Sequence, residues 1–305
     1  MTPSETVIRV EHLRKVYKHT VAVEDISFDV GRGEVFGLLG SNGAGKTTTV
    51  ECLEGIRRAD GGSIRVLGLD PQRQASALRG RVGSQLQESR LPDHLKVWEA
   101  LELFAGLAPR ALDWRELLAA WGLAEKRSAS FASLSGGQRQ RLFVALALVS
   151  DPEIVVLDEM TTGLDPAARH VAWELIEEIR DRGTTVVLVT HFMDEAERLC
   201  DRVAVVERGR IIALGAPVAL IDEHAPELRV VFTAGDLDVG WLAELDHVRA
   251  VTQGGPRVTV HGDGPVLALV AAALVERGIV PRDLRVERPS LEDVFLGLTG
   301  HHVED

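Results

Sequence analysis

The apolar run Val35 to Leu39 is followed directly by Gly40-Ser41-Asn42-Gly43-Ala44-Gly45-Lys46-Thr47-Thr48, and no other segment limits the fold as strongly. The run suits a buried strand, and the residues after it match G-x-x-x-x-G-K-[ST], a loop that must leave a strand and open a helix. Glycines let the backbone curl until successive N–H groups and the helix N-terminus face one point, where their partial positive charge favours a phosphate. Lys46 adds a point charge there, and Thr47 offers an oxygen to a magnesium ion. The competing reading is a glycine turn that happens to precede a helix.

Composition narrows the partners. The chain has 305 residues, which predicts one large domain and a small one. Its formal net charge is −12, from 46 acidic and 34 basic residues, so it offers no broad positive field to a nucleic acid. The two cysteines, Cys52 and Cys200, lack a second Cys or His at ligand spacing and read as buried thiols of a reducing compartment. The opening MTPSETVIRVEH has no basic region followed by an apolar run, so no secretory signal is expected. The longest apolar run, Val266 to Val275, reaches about half of the roughly 20 residues that a spanning helix needs. Any membrane contact is therefore expected through a partner.

Strand-like runs at Val7 to Val10 and Val23 to Val30 precede the loop. Leu95 to Leu107, with Val97, Leu101 and Phe104 on one helical face, and Trp114 to Trp121 predict a helical insertion spanning about 88–145. Apolar strands return at Ile154 to Leu157, Val186 to Val189 and Val203 to Val206, with a helical Ala167 to Arg182 between the first two. Such continuous apolar strands alternating with helices predict an α/β sheet covered on both faces and parallel over much of its extent. The first domain is expected over residues 1–222, with IDEHAPE (residues 221–227) as the linker. Residues 223–305 read as a β-α-β-β-α-β unit followed by a helical SLEDVFLGLT, a small α+β domain.

Two further segments bear on chemistry. Leu134-Ser135-Gly136-Gly137-Gln138 reads, taken alone, as a serine-capped helix after a turn. Ile154-Val-Val-Leu-Asp158-Glu159 is an apolar strand ending in two carboxylates. That pair suits a division of labour in which Asp158 anchors a magnesium shell and Glu159 polarises an attacking water, although two acids after a strand also make an ordinary solvated turn.

In this order, the phosphate loop, LSGGQ and the Asp-Glu pair make the chain resemble the ABC ATPase family over roughly residues 7–220. The resemblance implies a P-loop NTPase fold of ABC type, binding ATP and Mg2+ and hydrolysing ATP. It implies that Ser135, Gly136, Gly137 and Gln138 contact the γ-phosphate held by another subunit, that Glu159 is the catalytic base, and that His191, after the strand Val186 to Val189, is a switch histidine. It places Gln87 on the magnesium and water, with Gln85 as a competing alignment. Tyr17 and its apolar neighbour Val23 fall where adenine is stacked, and Thr162-Gly-Leu-Asp165 where the chain crosses to the partner subunit. Asp165 before Pro166 also reads as a helix cap. Met160 stands where the family usually has proline.

The implied assembly is a homodimer beneath a separate membrane permease, cytoplasmic and peripheral on the inner face of the cell membrane. LQES after the strand and the terminal PSLEDVFLGLTG are similar to the drug-resistance exporter branch, which includes the daunorubicin-resistance ATPases, and favour export over import. A soluble ABC protein acting on ribosomes or DNA would carry tandem cassettes or a long heptad insertion, and neither occurs. A nucleotide sensor without turnover would lack Glu159 or His191. The C-terminal domain carries no phosphate loop, metal spacing or acid-base pair. A dimer-stabilising or regulatory role is expected of it, with a passive cap as the alternative, and His301-His302 reads as a solvated tail.

Overall fold

A computed structural model describes residues 5–85, 90–224, 227–235 and 237–301. The described residues divide into two compact units, one up to residue 217 and one from residue 218 onward.

The first unit is built on a nine-stranded mixed sheet. Strands β1 (Thr6–Tyr17) and β2 (Thr20–Gly31) form a long antiparallel hairpin, and β4 (Gly61–Val66) pairs with the outer edge of β1. Strands β3 (Val35–Leu39), β5 (Val82–Gln85), β6 (Ile154–Asp158), β7 (Thr185–Thr190) and β8 (Arg202–Glu207) make the parallel part, in the order β8-β3-β7-β6-β5. Strand β9 (Arg210–Gly215) turns back antiparallel on β8. Every residue of β3, β6 and β7 is buried, as expected of strands covered on both faces. Helices α1 (Lys46–Leu53), α2 (Ala75–Leu78), α6 (Pro166–Asp181) and α7 (Met193–Leu199) connect these strands.

Between β5 and β6 lies the helical insertion of α3 (Val97–Leu107), α4 (Trp114–Ala120) and α5 (Gly136–Leu148). Val97 and Leu101 are buried, but Phe104, expected on the same face, is 40% exposed, beside the exposed Leu103 and Leu107. Helix α3 thus presents apolar side chains to solvent at its C-terminal end.

The second unit opens with α8 (Pro217–His224), which absorbs the first four residues of the expected linker. Pro217 supplies the fixed φ that suits a first helical turn, so the helix starts before the charged residues and carries through them. A four-stranded antiparallel sheet follows, in the order β11-β12-β10-β13. It contains β10 (Leu228–Thr233), β11 (Val248–Gly254), β12 (Arg257–Gly262) and β13 (Arg285–Glu287). Its inward side chains, Val230, Phe232, Val258 and Val260, share a core with Val266, Val270 and Leu274 of α9 (Val266–Glu276). The first expected helix of this unit is a short 3-10 turn, Gly240–Glu244. The last helix, α10 (Leu291–Thr299), is held by a Ser290–Asp293 capping box and by a two-bond pairing of Arg229 with Asp293, at 2.7 and 2.9 Å.

Candidate active site

The sheet brings three chain segments to one edge. In the parallel registers Leu39 pairs with Thr190, and Asp158 with Val189. The phosphate loop, His191 and the Asp158-Glu159 pair therefore leave the C-terminal ends of adjacent strands, where a ligand crevice opens in such sheets.

The loop is shaped by positive φ angles at Gly40, Gly43 and Gly45. A Cβ on Gly40 would overlap the Val206 carbonyl and one on Gly45 would press on Ala22 O, whereas Gly43 faces open space. The inner wall is thus closed by backbone and the outer side is clear. Gly45 caps α1, so the helix dipole points into the loop. The Lys46 Nζ donates to the carbonyls of Gly40 at 2.7 Å and Ser41 at 3.0 Å. Ser41 is half-buried, Asn42 and Thr47 are exposed, and Ala44 is buried with its carbonyl taken by the Gly209 N–H at 2.8 Å. Thr48 is half-buried on the first turn of α1. Burial lowers the Lys46 pKa, against the opposing pull of Glu159 and Asp158.

Asp158, 1% exposed, ends β6. Burial pushes its carboxyl up to about 6, and Glu159 adds to the rise, while Lys46 and the Thr47 hydroxyl act in the other direction. Neither carboxylate oxygen has a hydrogen-bond partner. Two orphaned buried oxygens beside a threonine hydroxyl form a hard oxygen donor set, which fits a magnesium ion that also holds phosphate oxygens.

Glu159 follows with φ 49, a left-handed conformation that costs a non-glycine residue on the order of 1–2 kcal/mol. Its N–H donates to the Val189 carbonyl at 2.9 Å, which ties the turn to β7. Its Oε1 lies 3.5 Å from Nδ1 of His191, whose ring packs against Phe192 at 4.1 Å between centroids. The pair can orient a water between a carboxylate and an imidazole, which is what general-base attack on a phosphate requires.

Ser135, Gly136, Gly137 and Gln138 sit elsewhere, at the start of α5 in the helical insertion. Ser135 caps the helix: its Oγ accepts from Gln138 N at 3.3 Å and Gln138 Oε1 accepts from Ser135 N at 3.0 Å. Ser135 and Gly136 are exposed, so the first-turn N–H groups face outward and can meet an anion carried by another molecule. Thr162, Gly163 and Asp165 are exposed too, and Asp165 caps α6 by accepting from Ala168 N at 2.8 Å.

Tyr17, 36% exposed at the end of β1, has Lys15 Nζ and Arg57 Cζ over its ring at 5.2 and 5.9 Å. Val23, expected beside a base, is fully buried, with Cγ2 3.5 Å from the position of a Cβ on Gly45. It lies out of phase with the buried Ile26, Phe28 and Val30, past a register shift in the pairing with β1, and faces the phosphate loop at Gly45. Strand β5 ends at Gln85, which is 3% exposed and in register with Leu157, and Gln87 lies outside the described residues.

Sequence reasoning missed Glu195. It is fully buried on α7, and Trp173 Nε1 of α6 donates to it at 3.1 Å. Burial raises its pKa, with Thr190, Thr161 and Trp173 acting in the other direction. It thereby joins the end of β7, the turn after Glu159, and α6. The available signal was an acid set among the apolar Phe192, Met193 and Ala196.

Residues 23–162 match the family model described as ABC transporter. The Nod factor export ATP-binding protein I of Bradyrhizobium diazoefficiens is 42% identical over the whole of both chains, and that of Paraburkholderia xenovorans 39% over 99% of each. Among solved structures, an ATP-binding subunit of an ABC transporter is 29% identical and covers 72% of this chain and 93% of its own, with a TM-score of 0.66. A dimeric bacterial ABC transporter cassette, 24% identical, covers 68% of this chain and 98% of its own at a TM-score of 0.62 and shares the fold. No helix among the described residues is long and apolar enough to cross a membrane. With a phosphate loop, an Asp-Glu pair and a histidine gathered at adjacent strand ends, and with relatives aligned from end to end, this chain belongs to the ABC transporter family as an ATP-binding subunit, an ATPase.

Proposed function

We propose that the chain powers the export of drug-like or lipophilic compounds, as one half of a homodimer beneath a separate integral-membrane permease on the cytoplasmic face of the cell membrane. The observation that carries this reading is the separation of two half-sites on one chain. Lys46, Asp158, Glu159 and His191 converge at the strand ends, whereas Ser135, Gly136 and Gly137 present an exposed helix N-terminus on the insertion. Two chains facing each other give each phosphate loop a signature helix from its partner. The fold neighbour described as a dimeric cassette supports that arrangement.

In the composite site the residues of the phosphate loop wrap the ATP phosphates and Tyr17 stacks on the base. Thr47, Asp158 and Gln87 would hold Mg2+, which neutralises charge on the phosphates when bound. Glu159 takes the proton of the attacking water, His191 marks the presence of the γ-phosphate, and Asp165 lies on the segment that reaches the partner. Leu103, Phe104 and Leu107, exposed together on α3, support a partner that covers this face, as a permease would.

Export is supported by relatives named for Nod factor export, whose alignment extends through the second unit beyond the family match. The same relatives favour, as a second reading, a Nod factor-like substrate. For the second unit we propose a dimer-stabilising or regulatory role, its sheet edges being open to pairing.

Inverted membrane vesicles carrying the chain and the permease that co-purifies with it test the proposal. ATP should drive accumulation of a labelled lipophilic drug or Nod factor inside them, and Glu159→Gln should abolish it. ATP-driven release of compound loaded inside the vesicles would contradict export.

A further inference from the structure

Met160 follows Glu159 and has no part in the site described above. Its side chain is 2% exposed, yet a small cavity of about 120 Å3 remains beside it. The walls of that cavity come from parts of the chain with different tasks: Met160 and Leu164 from the turn after Glu159, Gly137 and Arg141 from α5, and Trp121 from the end of α4. The turn and the signature helix face each other across it. A Cβ on Gly137 would lie 3.6 Å from Leu164 Cδ2, an ordinary van der Waals contact. Arg141 fastens the far wall, with Nη1 donating to the Trp121 carbonyl at 3.3 Å and Nε to the Gly137 carbonyl at 3.4 Å.

The first turn of α5 and the turn after Glu159 thus border the same space. Met160 is its adaptable wall, one peptide bond from Glu159. An unbranched thioether can repack into such a space, which a proline ring with fixed φ cannot do.

We propose that Met160 is a positioning residue that couples the two composite sites of the dimer, transmitting the state of Glu159 in one site to the signature helix that serves the other. The inference rests on the reading that each phosphate loop works against the partner's signature. In that dimer Glu159 acts on the ATP of its own chain, while Ser135, Gly136 and Gly137 act on the ATP of the partner, and the cavity is where the two meet inside one chain.

Mixed dimers purified through two different tags test it. Single-turnover hydrolysis is measured first on a pair with Glu159→Gln in one chain and a wild-type partner, then with Met160→Ala added to the Glu159→Gln chain. The surviving glutamate belongs to the wild-type chain, and the signature helix serving it belongs to the mutant chain. The rate should fall roughly threefold to tenfold with ATP affinity unchanged. Met160→Leu, which restores the volume, should recover most of it. If Met160→Ala does not fold, Met160→Val carries the same expectation. An unchanged rate means that Met160 acts only on its own glutamate, and overturns the coupling. A Glu159→Gln and wild-type pair with no hydrolysis at all contradicts the underlying reading of two sites that each have their own glutamate, and the coupling falls with it.

Discussion

His191 Nδ1 stands 3.5 Å from Glu159 Oε1, each side chain held by a different strand end and both largely shielded from solvent. The distance is long for a hydrogen bond and suits two groups that share a water or a phosphate oxygen. His191→Ala should therefore lower turnover by roughly 10²-fold, with a smaller effect on the KM for ATP. Steady-state kinetics check this, and a raised KM with kcat unchanged would place the histidine in ground-state binding.

Asp158 links function to stability. Its folded carboxyl is raised to about 6 from its ordinary value of 3.8, so the native state binds the proton more tightly than the unfolded chain. Stability contributed by this group is present below about pH 4 and is lost as pH rises through about 6. Without nucleotide, Asp158→Asn should match the wild type near pH 4 and exceed it at pH 7 by up to about 3 kcal/mol. Added Mg2+ and ATP should reverse the order, raising the melting temperature of the wild type alone. A difference that does not change with pH would refute the raised carboxyl.

The phosphate loop tolerates no side chain on its inner wall. Gly40 has φ 153 and a Cβ there would overlap the Val206 carbonyl, so Gly40→Ala should cost about 2 kcal/mol or more and weaken ATP binding. Gly43→Ala meets no atom within 4 Å but still carries φ 83, and should be milder. Thermal melts of the two variants give the comparison, and equal losses would show that backbone strain rather than overlap decides.

In the second unit, Leu291, Val294 and Phe295 of α10 are buried, and Leu298 is 38% exposed. Phe295→Ala should destabilise this unit by about 3–5 kcal/mol. Deleting residues 290–305 should weaken dimerisation or transport while leaving ATP affinity intact. Unchanged self-association, melting temperature and transport in the truncated chain would make the helix dispensable.

Much of this was legible from residues alone, and the exceptions share a cause. The buried strands β3, β6 and β7 are continuous β-branched and leucine runs, and a strand that is apolar throughout carries its own signal. The phosphate loop and the Asp-Glu pair were legible because their spacing along the chain is the spacing of the chemistry. Strand β4 was not, because its first three residues are Gly61, Gly62 and Ser63 and it is held in place by pairing with β1. Phe104 was misplaced for the same reason: which way one side chain turns depends on the neighbouring element. Glu195 was invisible because its surroundings, Thr161, Thr190 and Trp173, come from three separate segments that only the folded chain brings together.

The assignment of Glu159 as the base that activates water is tested most directly by ATP binding and hydrolysis measured side by side in Glu159→Gln. The amide keeps the volume and the hydrogen-bonding reach of the carboxylate but cannot take a proton. ATP affinity should stay within about twofold of wild type while turnover falls by on the order of 10²–10⁴, about 3–5 kcal/mol of barrier. Turnover near that of the wild type, with binding intact, would contradict the assignment.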